Sequence, residues 1–132
     1  GEIAVGMFWD YNALGYRDNA VKNNPDSSFT VNIPSDGSVQ SGYCTIINSN
    51  APHPAAACLA REYILSDAGQ INLARGYATP IRNVTLPADV QAKRIDKSQY
   101  GSNVHTIDYA KWTTVCQDVI TYWQENIIPV IH

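Results

Sequence analysis

Residues 54–75 constrain the chain more than any other stretch. Pro54-Ala-Ala-Ala-Cys-Leu-Ala-Arg-Glu-Tyr-Ile-Leu65 and Asp67-Ala-Gly-Gln-Ile-Asn-Leu-Ala-Arg75 read as two helices in immediate succession, each with its own start signal. Pro54 suits a first helical turn, where a missing N–H costs nothing. Ser66 or Asp67 opens the second helix, and Gln70 is placed to reach back as a capping box if Asp67 is the cap. Gly76 then follows Arg75 as a left-handed stop.

Elements on either side are read from pattern. Residues 2–8 form a short apolar run of the kind buried strands show, and Trp9 to Arg17 leave it as a short helix. Asp18 to Ser28 contains Asn-Asn-Pro-Asp and reads as a loop. Phe29-Thr-Val-Asn-Ile33 alternates like a half-buried strand, Pro34-Ser-Asp-Gly37 is a turn, and Val39 to Asn48 gives a further strand around Tyr43-Cys-Thr-Ile-Ile47. Residues 76–105 are mostly irregular, with a brief helix over 87–93. In the last helix Ile107, Ala110, Trp112, Val115, Cys116, Val119, Ile120, Trp123 and Ile127 recur at three- and four-residue steps. Thr106 is its expected N-cap and Pro129 its end. That period makes Trp112 and Trp123 core anchors. Strands, then helices, make an α/β chain.

Composition sets limits. The 132 residues carry a net charge of −3, are 45% hydrophobic and 16% charged, which is a globular composition with a modest core. No basic run or arginine stripe points to nucleic acid. No apolar run approaches the roughly 20 residues that span a bilayer. Cys44, Cys58 and Cys116 are widely spaced with no C-x-x-C, and read as small buried apolar residues. His53 sits at the start of the first of the paired helices and His105 before Thr106, neither at metal-ligand spacing. No nucleophile elbow, P-loop, H-E-x-x-H or dinucleotide fingerprint is present, so the expected function is not enzymatic and needs no cofactor.

Four segments carry a family resemblance when taken in order. They are Gly1-Glu-Ile-Ala-Val-Gly-Met-Phe-Trp9, then Ala51-Pro-His-Pro-Ala-Ala-Ala57, Leu65-Ser-Asp-Ala-Gly-Gln70, and Arg75-Gly-Tyr-Ala-Thr-Pro-Ile-Arg82. This order resembles the C-terminal half of the solute-binding proteins of ABC importers, in the two-lobed (type 2) group that binds polyamines, ferric iron, phosphonates or thiamine. The likeness runs from Gly1 to about Arg82. It implies the C-terminal portion of a periplasmic-binding-protein-like fold, with a short mixed sheet flanked by helices. The 132 residues are then one fragment, mostly second lobe, with a crossing segment near 29–66. It further implies a periplasmic or otherwise extracytoplasmic location, secreted or lipid-anchored, and ABC permease subunits as partners. A single lobe cannot enclose a ligand, so weak binding and a homodimer of the fragment through exposed sheet edges are expected.

Candidate site residues follow from chemistry at expected element ends. Trp9 offers a π face that attracts cations, Asp10 a carboxylate for an amine, and Tyr11 a phenol. Ser41 and Tyr43 flank Gly42 and offer hydroxyls and backbone N–H groups for an oxyanion. Arg75 and Tyr77, with Arg82 beyond them, can add a guanidinium fork. Ferric-binding relatives carry adjacent tyrosines where this chain has Tyr11-Asn12, which leaves one phenolate. Polyamine-binding relatives carry an acid in the stretch matching Val39–Thr45, where this chain has none. A phosphonate or small zwitterion would use both groups of residues. The rival readings are a small hydrolase with an unrecognised triad and a protein-interaction or sensory module built on the same lobe.

Overall fold

A computed structural model describes residues 4–131. In chain order it contains α1 (Asp10–Asn23), β1 (Ser38–Gln40), α2 (Pro54–Leu65), α3 (Asp67–Arg75), α4 (Ala88–Gln91), a 3-10 turn (Lys97–Gln99), β2 (Val104–Thr106) and α5 (Tyr109–Tyr122). α5 runs on into a π turn (Trp123–Ile127) and a 3-10 turn (Ile128–Val130). The chain is helix-rich, and β1 pairs with β2 as a two-stranded parallel sheet, Ser38 opposite Val104 and Gln40 opposite Thr106. It divides into two compact units. Unit 1 holds residues up to Pro34 and Tyr43–Gly101; unit 2 holds Ser35–Gly42 and the chain from Ser102.

Unit 1 is organised around the junction of α2 and α3. Ser66 serves both helices: its N–H reaches Tyr63 O at 3.0 Å, and its Oγ donates to the same carbonyl at 2.7 Å. The same Oγ accepts from Gly69 N at 3.2 Å, which makes Ser66 the N-cap of α3 in place of Asp67. Gln70 does not close a capping box. It is 3% exposed; its Nε2 donates to Ile64 O at 2.8 Å and its Oε1 accepts from Ile81 N at 2.9 Å. One amide thus stitches the end of α2 to the segment beyond α3. Gly69 lies so close to α2 that a Cβ there would collide with Tyr63 O and stand 2.8 Å from Ile64 O.

The exit from α3 is the second organising turn. Gly76 has φ −92°, so it is not the left-handed stop; Tyr77, at φ 70°, takes that conformation instead. A non-glycine residue there costs about 1–2 kcal/mol, and the Arg94 guanidinium offsets it. Arg94 donates to Tyr77 O at 3.0 Å, Ala78 O at 2.7 Å and Thr79 Oγ1 at 2.8 Å, clamping the turn from outside. Among the described residues, Leu14 of α1, Ala74 of α3, Val90 of α4 and Ile95 form the small buried apolar set, all in unit 1.

Several expectations are corrected. Residues 2–3 of the expected first strand lie outside the described residues, and Ala4–Phe8 is not strand. Residues 29–33 are irregular, and of the run from Val39 only the first residues pair, in β1. The sheet is parallel, not mixed. A strand needs a neighbour to take its N–H and C=O groups, and β-branched pattern alone does not supply one. Helices satisfy themselves internally, so α1 continues through Asp18 to Asn23, where a loop is expected. Asp108 and not Thr106 caps α5, its Oδ1 accepting from Ala110 N and Lys111 N at 3.1 and 3.2 Å. Trp112 and Trp123 are 47% and 54% exposed, so they anchor no core. Cys44 and Cys58 are exposed and Cys116 is half-buried, all three as free thiols.

Two substitutions test the junction. Gly69→Ala must push backbone carbonyls apart and is expected to cost about 1–3 kcal/mol, the range for inserting a methyl into a closed contact. Gln70→Ala orphans Ile64 O and Ile81 N and is expected to cost about 1–3 kcal/mol for each group left without water. Urea unfolding measures both, and an unchanged midpoint for either would show that the junction is not as tight as its geometry.

Candidate functional site

The expected site residues fall into three places. At the head of α1, Trp9 is the N-cap, with φ −63° and ψ 141°, and it makes no side-chain cap hydrogen bond. Its ring is 46% exposed. Asp10 occupies the first turn, where a carboxylate is favoured by the helix dipole. Its Oδ1 accepts from Tyr11 N at 2.7 Å and its Oδ2 from Tyr100 OH at 2.5 Å. Each carboxylate oxygen keeps a further lone-pair site. Burial, and then the Asp10 carboxylate, push the Tyr100 phenol far above its ordinary value, so Tyr100 is a fixed donor.

Tyr11 and Tyr43, 32 residues apart, share a hydrogen bond of 2.6 Å between their hydroxyls. Their rings meet edge to face, 6.2 Å between centroids at 78°. The Tyr11 hydroxyl pushes the Tyr43 phenol up from its usual value. The fold therefore gathers Trp9, Asp10, Tyr11 and Tyr43 at one end of one helix. Tyr43 is 84% exposed, so the pair faces solvent.

The second place is the end of α3. Arg75 pairs with Asp89 at 3.4 Å, and Arg82 with Asp67 at 2.6 Å; all four side chains are more than half exposed, so neither pair adds much stability. Tyr77 OH donates to Asp18 Oδ2 at 2.5 Å, and Arg17 Nε donates to Asp18 Oδ1 at 2.8 Å. Tyr77 thus holds α1 through its hydroxyl. Arg75 and Tyr77 line a cleft of about 60 Å³ with Ala74, Asp89, Val90 and Lys93. A more open depression of about 650 Å³ lies over the α2–α3 junction, lined by Glu62, Leu65, Ser66, Asp67, Ala68 and Arg82. The third place is in unit 2, where Ser41 Oγ and Tyr109 OH lie 2.8 Å apart.

Sequence reasoning passed over Tyr100, Asp18 and Tyr109. Tyr100 stands in Lys97-Ser-Gln-Tyr-Gly101, a turn with no periodicity to mark it. Asp18 falls on the wrong side of an expected helix boundary. Among the described residues no three of His, Cys, Asp and Glu gather as a metal-holding group, and no helix is long and apolar enough to cross a membrane.

Asp18 gives the site's neighbourhood a pH dependence. Burial pushes its carboxyl up, but the hydrogen bonds from Tyr77 and Arg17 and the Arg17 charge outweigh that and hold it below 3.8. A carboxylate with a depressed folded value contributes stability above its unfolded value and loses it as the pH falls through the folded one. The melting-temperature gap between the wild type and Asp18→Asn is therefore expected to be fully present near neutral pH and to close as the pH falls through the lowered folded value of Asp18. A gap independent of pH would remove the ionised carboxylate from the account.

A family profile described as bacterial extracellular solute-binding protein matches residues 1–115. No curated protein matches the chain. The match covers most of the sequence and takes in the head of α1, Tyr43, the α2–α3 junction and the Arg94-clamped turn, so the chain belongs to the bacterial extracellular solute-binding protein family.

Proposed function

We propose that this chain holds a small polar or charged solute at the head of α1, for import by an ABC permease. The observation that carries the reading is the Tyr11–Tyr43 contact, which brings two expected ligand residues together at the first turn of the helix that the exposed Trp9 caps. A π face, two hydroxyls and a carboxylate edge form a surface for a solute with a flat or cationic part and hydrogen-bonding groups. Each Asp10 oxygen has one donor and room for another, which together with an indole π face favours a solute with a cationic group, an amine or a small zwitterion, over a phosphonate anion. The two-lobed (type 2) fold, with this chain supplying mostly the second lobe, belongs to the same reading. So do capture without chemical conversion and an extracytoplasmic setting, secreted or lipid-anchored. In a two-lobed protein closure is driven by the solute's greater affinity for the closed state.

Thermal-shift screening of the full-length, two-lobed protein against phosphonates, polyamines, thiamine and ferric iron tests the reading, followed by calorimetry on any compound that raises the melting temperature. One stabilising class is expected. Trp9→Ala is then expected to weaken binding by about 1–3 kcal/mol, as loss of an aromatic anchor does. Tyr43→Phe removes one hydroxyl and is expected to cost about 0.5–1.5 kcal/mol. No stabilisation by any class, or a dissociation constant that neither substitution moves, would place the solute elsewhere.

A further inference from the structure

The acidic side chains differ in what neutralises them. Among the described residues Asp10 and Asp18 are partly withdrawn from solvent, and every other Asp and Glu is exposed. Asp18 has the Arg17 guanidinium at 2.8 Å. Among the described residues no Lys, Arg or His forms an ion pair with Asp10. Its donors are neutral instead: Tyr11 N at 2.7 Å on Oδ1 and Tyr100 OH at 2.5 Å on Oδ2. A carboxylate drawn out of water needs compensation. Two donors supply part of it and leave an acceptor site on each oxygen.

Tyr100 is itself firmly held. Arg94 clamps the turn after α3, and Ile95 is buried. Asp96 caps the 3-10 turn, its Oδ1 accepting from Ser98 N at 2.8 Å and Ser98 Oγ at 2.6 Å. Tyr100 N closes that turn on Lys97 O at 3.2 Å. The phenol thus projects from a segment fixed at three successive residues, and it reaches a carboxylate 90 positions away.

We infer that, with the head of α1 as the solute site proposed above, Tyr100 is its positioning residue, holding the Asp10 carboxylate in one orientation for the cationic group of the solute. A carboxylate turns readily about its last bond. Fixing it beforehand removes an ordering cost that binding would otherwise carry. The acceptor sites left, one on each oxygen, suit a single ammonium or guanidinium group. Burial, and then Asp10, push the Tyr100 phenol upward, so it remains a donor at neutral pH.

One measurement needs no solute. Nuclear magnetic resonance of the chain with tyrosine labelled at Cζ follows the ionisation of each phenol. At about pH 10, where an ordinary tyrosine is half ionised, Tyr100 is expected to stay protonated in the wild type and to ionise more readily in Asp10→Asn. Ordinary ionisation in the wild type, or no change in Asp10→Asn, overturns the contact and the positioning role with it. Calorimetry of the full-length, two-lobed protein then uses putrescine as an amine and β-alanine as a zwitterion. Asp10→Asn is expected to weaken binding of the tighter probe about tenfold or more. Tyr100→Phe is expected to weaken it about two- to tenfold, and to add nothing in the Asp10→Asn background. An effect of Asp10→Asn with none from Tyr100→Phe overturns the positioning role and spares the solute site. An equal loss from Tyr100→Phe in both backgrounds shows a structural role only, and overturns it too. Binding of neither probe, or binding indifferent to Asp10→Asn, removes the cation from Asp10, and the solute site and the role of Tyr100 fall together.

Discussion

The buried amide of Gln70 is the interaction on which the rest of unit 1 depends. Its nitrogen holds the last turn of α2 and its oxygen holds the segment after α3, so a single side chain fixes where three pieces of backbone run. A buried amide of this kind is stabilising only while both ends are paired, because each orphaned group would be left without water. Gly69 beside it lets the two helices close to backbone contact. With that junction fixed, the turn after α3 emerges where Arg94 can reach three of its acceptors and Tyr77 can reach Asp18. The placement of α1 follows from that last contact, and so does the placement of its aromatic head.

This route explains why the candidate site is held by polar contacts more than by packing. Only Leu14 of α1 is buried. The helix is held instead by Asp18 to Tyr77, by Arg17 to Lys93 O, and by Asp10 to Tyr100. Hydrogen bonds fix direction more sharply than apolar contact does, which suits a surface that must present rings and hydroxyls at set angles. The cost is that most of the large apolar side chains at both ends of the chain stay in solvent, from Val5 and Met7 to Val130 and Ile131.

The helices were legible in the sequence and the strands were not. α2 and α3 occupy the residues their start and stop signals mark, because a helix closes its hydrogen bonds within its own segment. Tyr43-Cys-Thr-Ile-Ile47 has a strand's composition yet forms none, because a strand closes its hydrogen bonds on a neighbour. The α5 stripe shows the same limit in another form. Its period identified an amphipathic helix, but period does not say whether the apolar side meets a core, and here it meets solvent.

The order of four local signatures was enough to identify the family, and residue chemistry was enough to nominate Trp9, Asp10, Tyr11 and Tyr43. Only the tertiary structure could show that Tyr11 and Tyr43 touch while Ser41 lies in a different unit, that Asp10 is tied to Tyr100, and that Tyr77 is spent on Asp18. The physical reason is the range of the interactions. Caps, turns and helical periods act over a few residues and are written locally. A hydrogen bond between residues 32 or 90 positions apart exists only once the backbone between them has been folded into place.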